Sequence, residues 1–333
     1  MNAAPAPWIS QQARQLLALR GHAWLLHGPS GLGQYRLALE LARGWLCERP
    51  TAAGACGECA SCHAIEVRAH ADLCVLMPET AMQELSWPLS EKAQGEIDDK
   101  ARKPSKEIRI DAMREAVEFA QRTSGRGRGK VVLVYPAERM NPITANALLK
   151  TLEEPAGDLR FVLASEAAHL LLPTIRSRCL THAMAWPQTG EAAQWLQEEG
   201  VALADVAGLL RAAGGRPEDA LAFARAGLDP RAWARLPKAL ARGDAGVIAD
   251  WMPRQALDAL LKLCHDLLAI KSGAAPRFFE AADLPSTNGS LAGLTDWSRE
   301  LFSVAETVEH PFNAGLMTEA LVSRARSALN SRD

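Results

Sequence analysis

Apolar residues in the first half of the chain alternate between two spacings. Short, nearly continuous apolar runs are typical of strands in the centre of a parallel sheet. We predict central strands at 131–135 and 161–165, a buried strand at 73–77 and a further strand at 23–27. Between them, apolar positions recur every three or four residues, which predicts helices. These predicted helices are 11–19, 35–47, 110–121 and 145–154. Strands that alternate with helices in this way predict an α/β fold with a parallel sheet.

The strand pattern ends at Trp186-Pro187. Three short helical segments follow, at 191–199, 202–213 and 218–226. Further along, leucines from Leu257 to Leu268 follow the spacing of an amphipathic helix. The chain therefore changes near residue 186 from alternating strands and helices to helices alone, and we expect a second domain boundary near 228.

Residues 79–107 follow neither spacing. The segment is rich in charged residues and contains Pro88 and Pro104. Prolines restrict regular structure, and no sustained period is present. We predict an excursion or mobile loop here.

Composition excludes some classes of protein. The 333 residues include 37 Lys and Arg against 39 Asp and Glu, a net charge of −2. This balance gives no global reason to bind a polyanion. The start, MNAAPAPWIS, lacks the pattern of a signal peptide, and no run approaches the roughly 20 apolar residues that span a bilayer. We expect a cytoplasmic protein without a membrane partner.

Four of the seven cysteines lie close together in the sequence. Cys47, Cys56, Cys59 and Cys62 form the pattern C-x8-C-x2-C-x2-C. Two residues between cysteines let both thiolates turn toward one ion, and four thiolates complete a tetrahedral, closed zinc site. We predict a structural zinc. Unrelated buried thiols and a redox pair are the alternatives, and His63 beside Cys62 is a substitute ligand with awkward geometry.

The stretch HGPSGLGQYRLA, residues 27–38, resembles half of a phosphate-binding motif. It follows an apolar run and leads into a helix, and Gly28 and Gly33 have the spacing of G-x-x-x-x-G-K-[ST]. Gln34, however, stands in the place of the lysine, and Tyr35 in the place of the magnesium-binding hydroxyl. The glycines remain, whereas both side-chain functions are missing.

The acidic pair that would hold magnesium is also missing. The strand at 131–134 is followed by Tyr135 and Pro136, and the next carboxylate is Glu138. The site thus lacks the lysine, the magnesium-binding hydroxyl and the acidic pair, and these three losses together argue against hydrolysis of a nucleotide. We predict a structural glycine turn, with weak nucleotide binding through the backbone as the alternative.

Three further motifs carry a family likeness. They are NALLKTLEEP (146–155), FVLAS (161–165) and TIRSRC (174–179). Together they resemble the clamp-loader branch of the AAA+ ATPases. The resemblance implies an AAA+-like parallel-sheet domain over 1–185 with an embedded zinc module at 47–62. It also implies a small helical lid at 186–228 and an all-α collar at 229–333, through which subunits oligomerise.

The resemblance also assigns individual positions. The degenerate nucleotide loop comprises Gly28, Gly31, Gly33, Gln34 and Tyr35. Tyr135 and Pro136 fall where an active subunit carries its acidic pair. Arg178 matches the arginine of the SRC motif, which in this family reaches as a finger into the ATP site of a neighbouring subunit. An ordinary solvated or paired arginine is the alternative for Arg178.

The resemblance implies a non-hydrolysing subunit of a bacterial clamp loader, inactive by itself, with structural zinc and without its own ATP. Its partners would be the ATPase subunits and the clamp-opening subunit, with the sliding clamp and primer–template DNA reached through the complex. Two rival functions are an active ATPase subunit of the same assembly and a zinc-dependent DNA-binding module. The basic stretch GRGRGK (125–130) bears on the second rival, but it lacks interleaved aromatic residues and favours a solvated glycine loop.

Overall fold

The structure is a computed structural model that describes residues 5–248, 251–286, 289–307 and 314–330. The chain divides into two compact units, Met1–Pro187 and Gln188–Asp333. The first unit contains every described strand, and the described elements of the second are helical. The loss of the strand pattern near residue 186 therefore corresponds to a real change of structure.

The first unit is built on five parallel strands. They are β1 (Ala23–His27), β2 (Leu73–Leu76), β3 (Lys130–Val134), β4 (Leu159–Ser165) and β5 (Leu180–Ala183). Their order across the sheet is β2-β3-β4-β1-β5. The predicted parallel α/β sheet is confirmed, with β5 as a fifth strand that the apolar pattern misses. The side chains of β5 are mostly exposed, so this edge strand lacks the apolar run of a central strand.

Helices cover both faces of this sheet. They are α1 (Pro7–Leu17), α2 (Gln34–Leu46), α3 (Ala60–Glu66), α4 (Glu79–Glu84), α5 (Glu91–Asp98), α6 (Ile110–Gln121), α7 (Pro142–Glu153) and α8 (Pro173–Arg176). Short 3-10 turns lie at Ala137–Arg139 and Ala168–Leu170. Val132 and Val134 share a core with α6 and α7. Because successive strand residues point to opposite faces, Val131 and Leu133 face the other side, where α2 contacts β3 and β4.

Residues 79–107 differ from the predicted loop. The segment forms α4 and α5, which are too short for a recognisable apolar stripe, so the prediction of an irregular loop is wrong over those helices. Arg102 donates to both carboxylate oxygens of buried Glu79, at 2.5 and 2.7 Å, and ties the end of the segment to its beginning. Together with β2, the segment lines a cavity that includes Trp87 and Leu89. It therefore stands beside the outer edge of the sheet.

The second unit is a bundle of helices. They are α9 (Thr189–Glu198), α10 (Leu203–Ala212), α11 (Pro217–Arg225), α12 (Pro230–Arg242), α13 (Pro253–Lys271), α14 (Leu291–Thr307) and α15 (Ala314–Asn330), with a 3-10 turn at Ala245–Ile248. Trp233 lies at the centre of its core and stacks on Phe279 with 4.8 Å between ring centroids. The predicted boundary near residue 228 lies within this unit and stays a prediction. None of the helices in the described ranges is long and apolar enough to cross a membrane.

Candidate functional site

Three strand ends bring the first candidate site together. In the sheet register His27 of β1 lies opposite Ser165 of β4, and Val134 of β3 lies opposite Leu163. The segments that leave these strands therefore start at the same edge. They are the glycine loop (residues 28–33), Tyr135 and Glu166. The carboxyl edge of a parallel sheet is the usual place of a binding site in such folds.

Two glycines give the loop its shape. Gly31 and Gly33 have φ angles of 76° and 93°, a left-handed conformation that side chains rarely adopt. At Gly28 the reason is space, since an added Cβ would lie 3.0 Å from Cβ of Met184, a contact that Met184 could accept only by shifting. The glycines at these positions are therefore explained by the turn itself. A bound phosphate is not needed to account for them.

Gln34 closes the loop from inside. Its side chain is buried, and Nε2 donates to the carbonyl oxygens of Gly28 at 2.9 Å and Pro29 at 2.7 Å. Trp8 of α1 donates from Nε1 to the carbonyl of Leu32 at 3.1 Å and so anchors the same loop. The loop thus receives two uncharged donors from its own chain. It receives no cation at the position where the motif has lysine.

Two tyrosine rings meet beside the glycine loop. The ring of Tyr35 lies 5.4 Å from that of Tyr135. Trp87 donates from Nε1 to the Tyr35 hydroxyl at 2.6 Å, and the Tyr135 hydroxyl donates to Oε1 of Glu166 at 2.9 Å. Burial raises the pKa of the Tyr35 phenol, and the hydrogen bond from Trp87 lowers it in part. Tyr35 is therefore neutral at neutral pH, and its ring packs against that of Tyr135.

Sequence reasoning missed one carboxylate in this region. Glu166 directly follows β4, and its backbone N–H donates to Oε1 of Glu138 at 3.1 Å. Its side chain accepts from Tyr135, so both glutamates take part in contacts within the chain. The signal was available, because a polar residue directly after a buried parallel strand lies at the carboxyl edge of the sheet.

The four predicted cysteine ligands come together at the far end of α2. Their sulfur atoms all lie within 4.8 Å of one another, with 3.5 Å between Cys47 and Cys56 and 3.8 Å between Cys47 and Cys59. A tetrahedral zinc with bonds of about 2.3 Å requires sulfurs about 3.8 Å apart. The four thiols therefore lie close enough to hold one metal ion.

The chemistry of these thiols also fits a metal. Burial raises the pKa of the Cys59 thiol, but backbone N–H groups, first that of Cys62, bring it down to about 6. Burial and the neighbouring Cys59 raise the pKa of Cys62 to about 12. Thiolates are the ligands that zinc requires, and a bound cation would favour deprotonation of all four thiols. Four sulfur ligands leave no open position, so a metal here would hold the fold and would not bind substrate.

A network of charges ties the cysteine cluster to the basic loop (residues 125–130). Oε1 of Glu48 accepts from the Ser61 hydroxyl at 3.0 Å and from Nη1 of Arg126 at 2.9 Å. The carboxylate of Asp72 accepts from the N–H groups of Gly125 and Arg126 at 2.7 and 2.9 Å. The loop is therefore anchored from two sides. The charge of Arg126 is paired with Glu48 within the chain.

Arg178 lies in the turn between α8 and β5. It donates from Nε to Oε1 of Glu153 at 2.5 Å, and Nη2 donates to the same oxygen. Nη1 donates to the carbonyl of Thr174 at 2.8 Å. The side chain keeps 32% of its surface exposed, and its recorded bonds are to α7 and to the segment around α8. Next to it, burial raises the pKa of the Cys179 thiol to about 12, so this cysteine is a poor nucleophile at neutral pH.

The sequence of the first unit matches a known family. The profile of the family described as DNA polymerase III, delta subunit, matches residues 11–187, which is more than half of the chain. The chain belongs to this family. The clamp-loader likeness of NALLKTLEEP and TIRSRC is confirmed at the level of the family.

Curated relatives carry a more specific name within the DNA polymerase III delta-subunit family. DNA polymerase III subunit delta' of Pseudomonas aeruginosa is 42% identical over 192 residues, which cover 57% of this chain and 52% of the relative. The subunit delta' of Escherichia coli is 33% identical over 223 residues, covering 65% of this chain and 60% of the relative. The altered loop, the four cysteines and the SRC motif together indicate a resemblance to a delta' subunit, and the names of these relatives confirm that resemblance. The chain spans about half to three fifths of the length of these relatives.

One solved structure aligns with nearly the whole chain. The DNA polymerase III gamma subunit-related protein of Thermotoga maritima covers 96% of this chain, and 99% of its own length is covered. The identity is 16% and the TM-score is 0.48.

Proposed function

We propose that this chain is a non-hydrolysing subunit of a DNA polymerase III clamp loader and serves the ATP site of a neighbouring subunit through Arg178. In that assembly the ATPase subunits, the clamp-opening subunit, the sliding clamp and primer–template DNA would be its partners. The observation that carries the proposal is the contrast between a glycine loop closed by its own Gln34 and a partly exposed arginine in the SRC turn.

The absence of hydrolysis in this chain is supported by what the site lacks and by what fills it. A working site uses a lysine on the phosphates, a hydroxyl on magnesium and an acidic group that positions both the metal and water. Here the corresponding positions hold an amide and two tyrosine rings in contact. None of these groups supplies a positive charge or a metal ligand of the required kind.

The role of Arg178 in trans is supported by the chemistry of its guanidinium. An arginine offers planar, permanently charged donors that match phosphate oxygens, and a finger supplied in trans is worth about 10³–10⁵ in rate among NTPases. Arg178 is partly exposed, so a neighbouring subunit can reach it. Zinc at Cys47, Cys56, Cys59 and Cys62 would act only as a structural clamp at the end of α2.

Two measurements test the proposal. The purified chain should neither bind MgATP at micromolar concentration nor turn it over, since the lysine and the magnesium ligands are absent. Robust binding with turnover would instead favour the rival in which this chain is an active ATPase subunit. Salt-sensitive binding of primed DNA by the purified chain would favour the zinc-dependent DNA-binding rival.

The finger is tested in the reconstituted loader. Arg178→Ala should leave assembly intact and lower the ATPase activity that the clamp and primed DNA stimulate. Arg176→Ala is the matched control, because it removes an arginine two positions away on α8. Equal activity of the two variants would remove the finger assignment.

A further inference from the structure

We propose that Glu153 is a positioning residue for Arg178, and this inference rests on the proposed role of Arg178 in trans. Glu153 is the last residue of α7, and Arg178 follows α8 twenty-five positions later. The carboxylate of Glu153 holds the guanidinium in one orientation. The arginine is therefore prepared for a phosphate before a neighbouring subunit arrives.

The pattern of hydrogen bonds supports this role. A guanidinium has five N–H donors in a fixed planar fork. Oε1 of Glu153 accepts from Nε and Nη2, which form one edge of the fork. The carbonyl of Thr174 accepts from Nη1 at 2.8 Å on the opposite side. The plane of the group is thus fixed by two acceptors on different segments.

The remaining edge suits a phosphate. Nη1 and Nη2 each carry two N–H groups, and one on each nitrogen suffices for the bonds to Thr174 and Glu153. Among the described residues, the only further acceptor recorded for Arg178 is the Ser177 hydroxyl, at 3.5 Å from Nη1. Paired N–H donors at the tip of an arginine are the geometry that binds two oxygens of one phosphate. Glu153 therefore orients the arginine and leaves its outer edge for a ligand.

Glu153 stands at the end of a helix that is packed and capped. Leu148 and Leu152, on the preceding turns of α7, are buried in the core of the first unit. Asn141 caps the start of the same helix by accepting from the N–H of Thr144 at 3.0 Å. A carboxylate at the end of a packed helix has a defined position, whereas Arg178 itself lies in a turn. The defined position of Glu153 on the helix therefore fixes the position of the Arg178 guanidinium.

The contribution of this ion pair lies in orientation more than in stability. Glu153 keeps 46% and Arg178 keeps 32% of the side chain exposed, and exposed pairs add little to folding free energy. A catalytic group that is displaced by about 1 Å, however, can lose about 100-fold in rate. Removal of Glu153 should therefore affect turnover and leave the unfolding midpoint unchanged.

The experiment is a double-mutant cycle in the reconstituted loader with clamp and primed DNA. At the ATP site that Arg178 serves, Arg178→Ala should lower turnover about 10³-fold and Glu153→Ala about tenfold. Glu153→Gln keeps an acceptor oxygen and should fall between Glu153→Ala and the wild type. The double variant should be no slower than Arg178→Ala alone, because Glu153 acts only through Arg178.

Glu154→Ala is the matched control, since it removes the adjacent carboxylate on the same segment. It should leave turnover unchanged, and all variants should assemble and unfold as the wild type does. A large effect of Arg178→Ala with none of Glu153→Ala overturns this inference alone. A further loss in the double variant also overturns it, because Glu153 would then act independently. If Arg178→Ala has no effect on turnover, both the proposed function and this inference are overturned.

Discussion

Gln34 and Arg178 are both polar side chains beside the parallel sheet, but they differ in burial and in their hydrogen-bond partners. Gln34 is buried, and its amide is bonded to two carbonyls of its own loop. Arg178 is partly exposed, and it donates to the carboxylate of Glu153 and to the carbonyl of Thr174. Satisfied burial is typical of a group that stabilises its own chain. Directional support at a surface is typical of a group that acts on something outside it.

The largest effect should follow removal of the predicted zinc. The cysteine cluster lies at the end of α2 and the glycine loop at its start, so this experiment tests whether the glycine loop depends on the cluster. Chelation should destabilise residues 47–66, because zinc binding, about 10–16 kcal/mol in zinc-finger peptides, is folding free energy at such a site. Hydrogen exchange should rise there and in the basic loop, which Arg126 links to Glu48. The glycine loop should stay protected by its own bonds.

Cys59→Ser should abolish stoichiometric zinc, whereas Cys179→Ser, outside the cluster, should retain it in metal analysis. Rapid exchange at residues 28–33 after chelation would show that the metal, and not Gln34, keeps the glycine loop closed.

Gln34→Leu should have the next largest effect. The substitution leaves the carbonyls of Gly28 and Pro29 without their side-chain donor, at a cost of about 1–3 kcal/mol. Urea unfolding measures this loss of stability. At urea concentrations where the variant is still folded, the ATP turnover of the reconstituted loader should not change. Loss of turnover by the folded variant would assign Gln34 a functional part that the closed loop does not imply.

Tyr35→Phe should cost about 1 kcal/mol, because Trp87 loses the oxygen that accepts its N–H. The chain has two tyrosines, so the difference between the ultraviolet titrations of wild type and variant isolates the Tyr35 phenol. Burial raises its pKa above 10.0. The folded state therefore binds the proton more tightly, and the corresponding stability is present below pH 10 and is lost as pH rises through the folded pKa. A midpoint at or below 10 for Tyr35 would contradict the burial of its phenol.

Arg178→Ala should have the smallest effect on stability, within about 0.5 kcal/mol, because its ion pair is exposed. Urea unfolding of the isolated chain provides the comparison with Gln34→Leu. If Arg178→Ala lowered the free energy of unfolding as much as Gln34→Leu does, Arg178 would be a residue that stabilises its own chain. The contrast between the two regions would then disappear.

The sequence predicts much of the framework around these sites. Continuous apolar runs locate the central strands, and the cysteine spacing anticipates four sulfurs that meet near one point. The edge strand β5 is missed because its residues are mostly exposed and lack an apolar run. The short helices α4 and α5 carry no apolar stripe, so periodicity cannot reveal them.

The partners of the polar side chains are harder to predict. Gln34 is identified from the motif, but the direction of its amide depends on a rotamer inside the folded loop. The pairing of Glu153 with Arg178 joins two elements across twenty-five residues. Spacing rules describe neighbours along one helix or strand and contain no information on contacts between elements. Such contacts have to be observed.

The segment of residues 79–107 has a consequence for the behaviour of the protein at high concentration. β2 is one of the two edge strands of the sheet and has β3 as its neighbour on one side only. An open strand edge is a template on which another chain can add a strand and begin to aggregate. The segment stands beside that edge, with Arg102 and Glu79 clamping its two ends together. We therefore expect a chain shortened within this segment to leave the edge of β2 more accessible and to self-associate more readily.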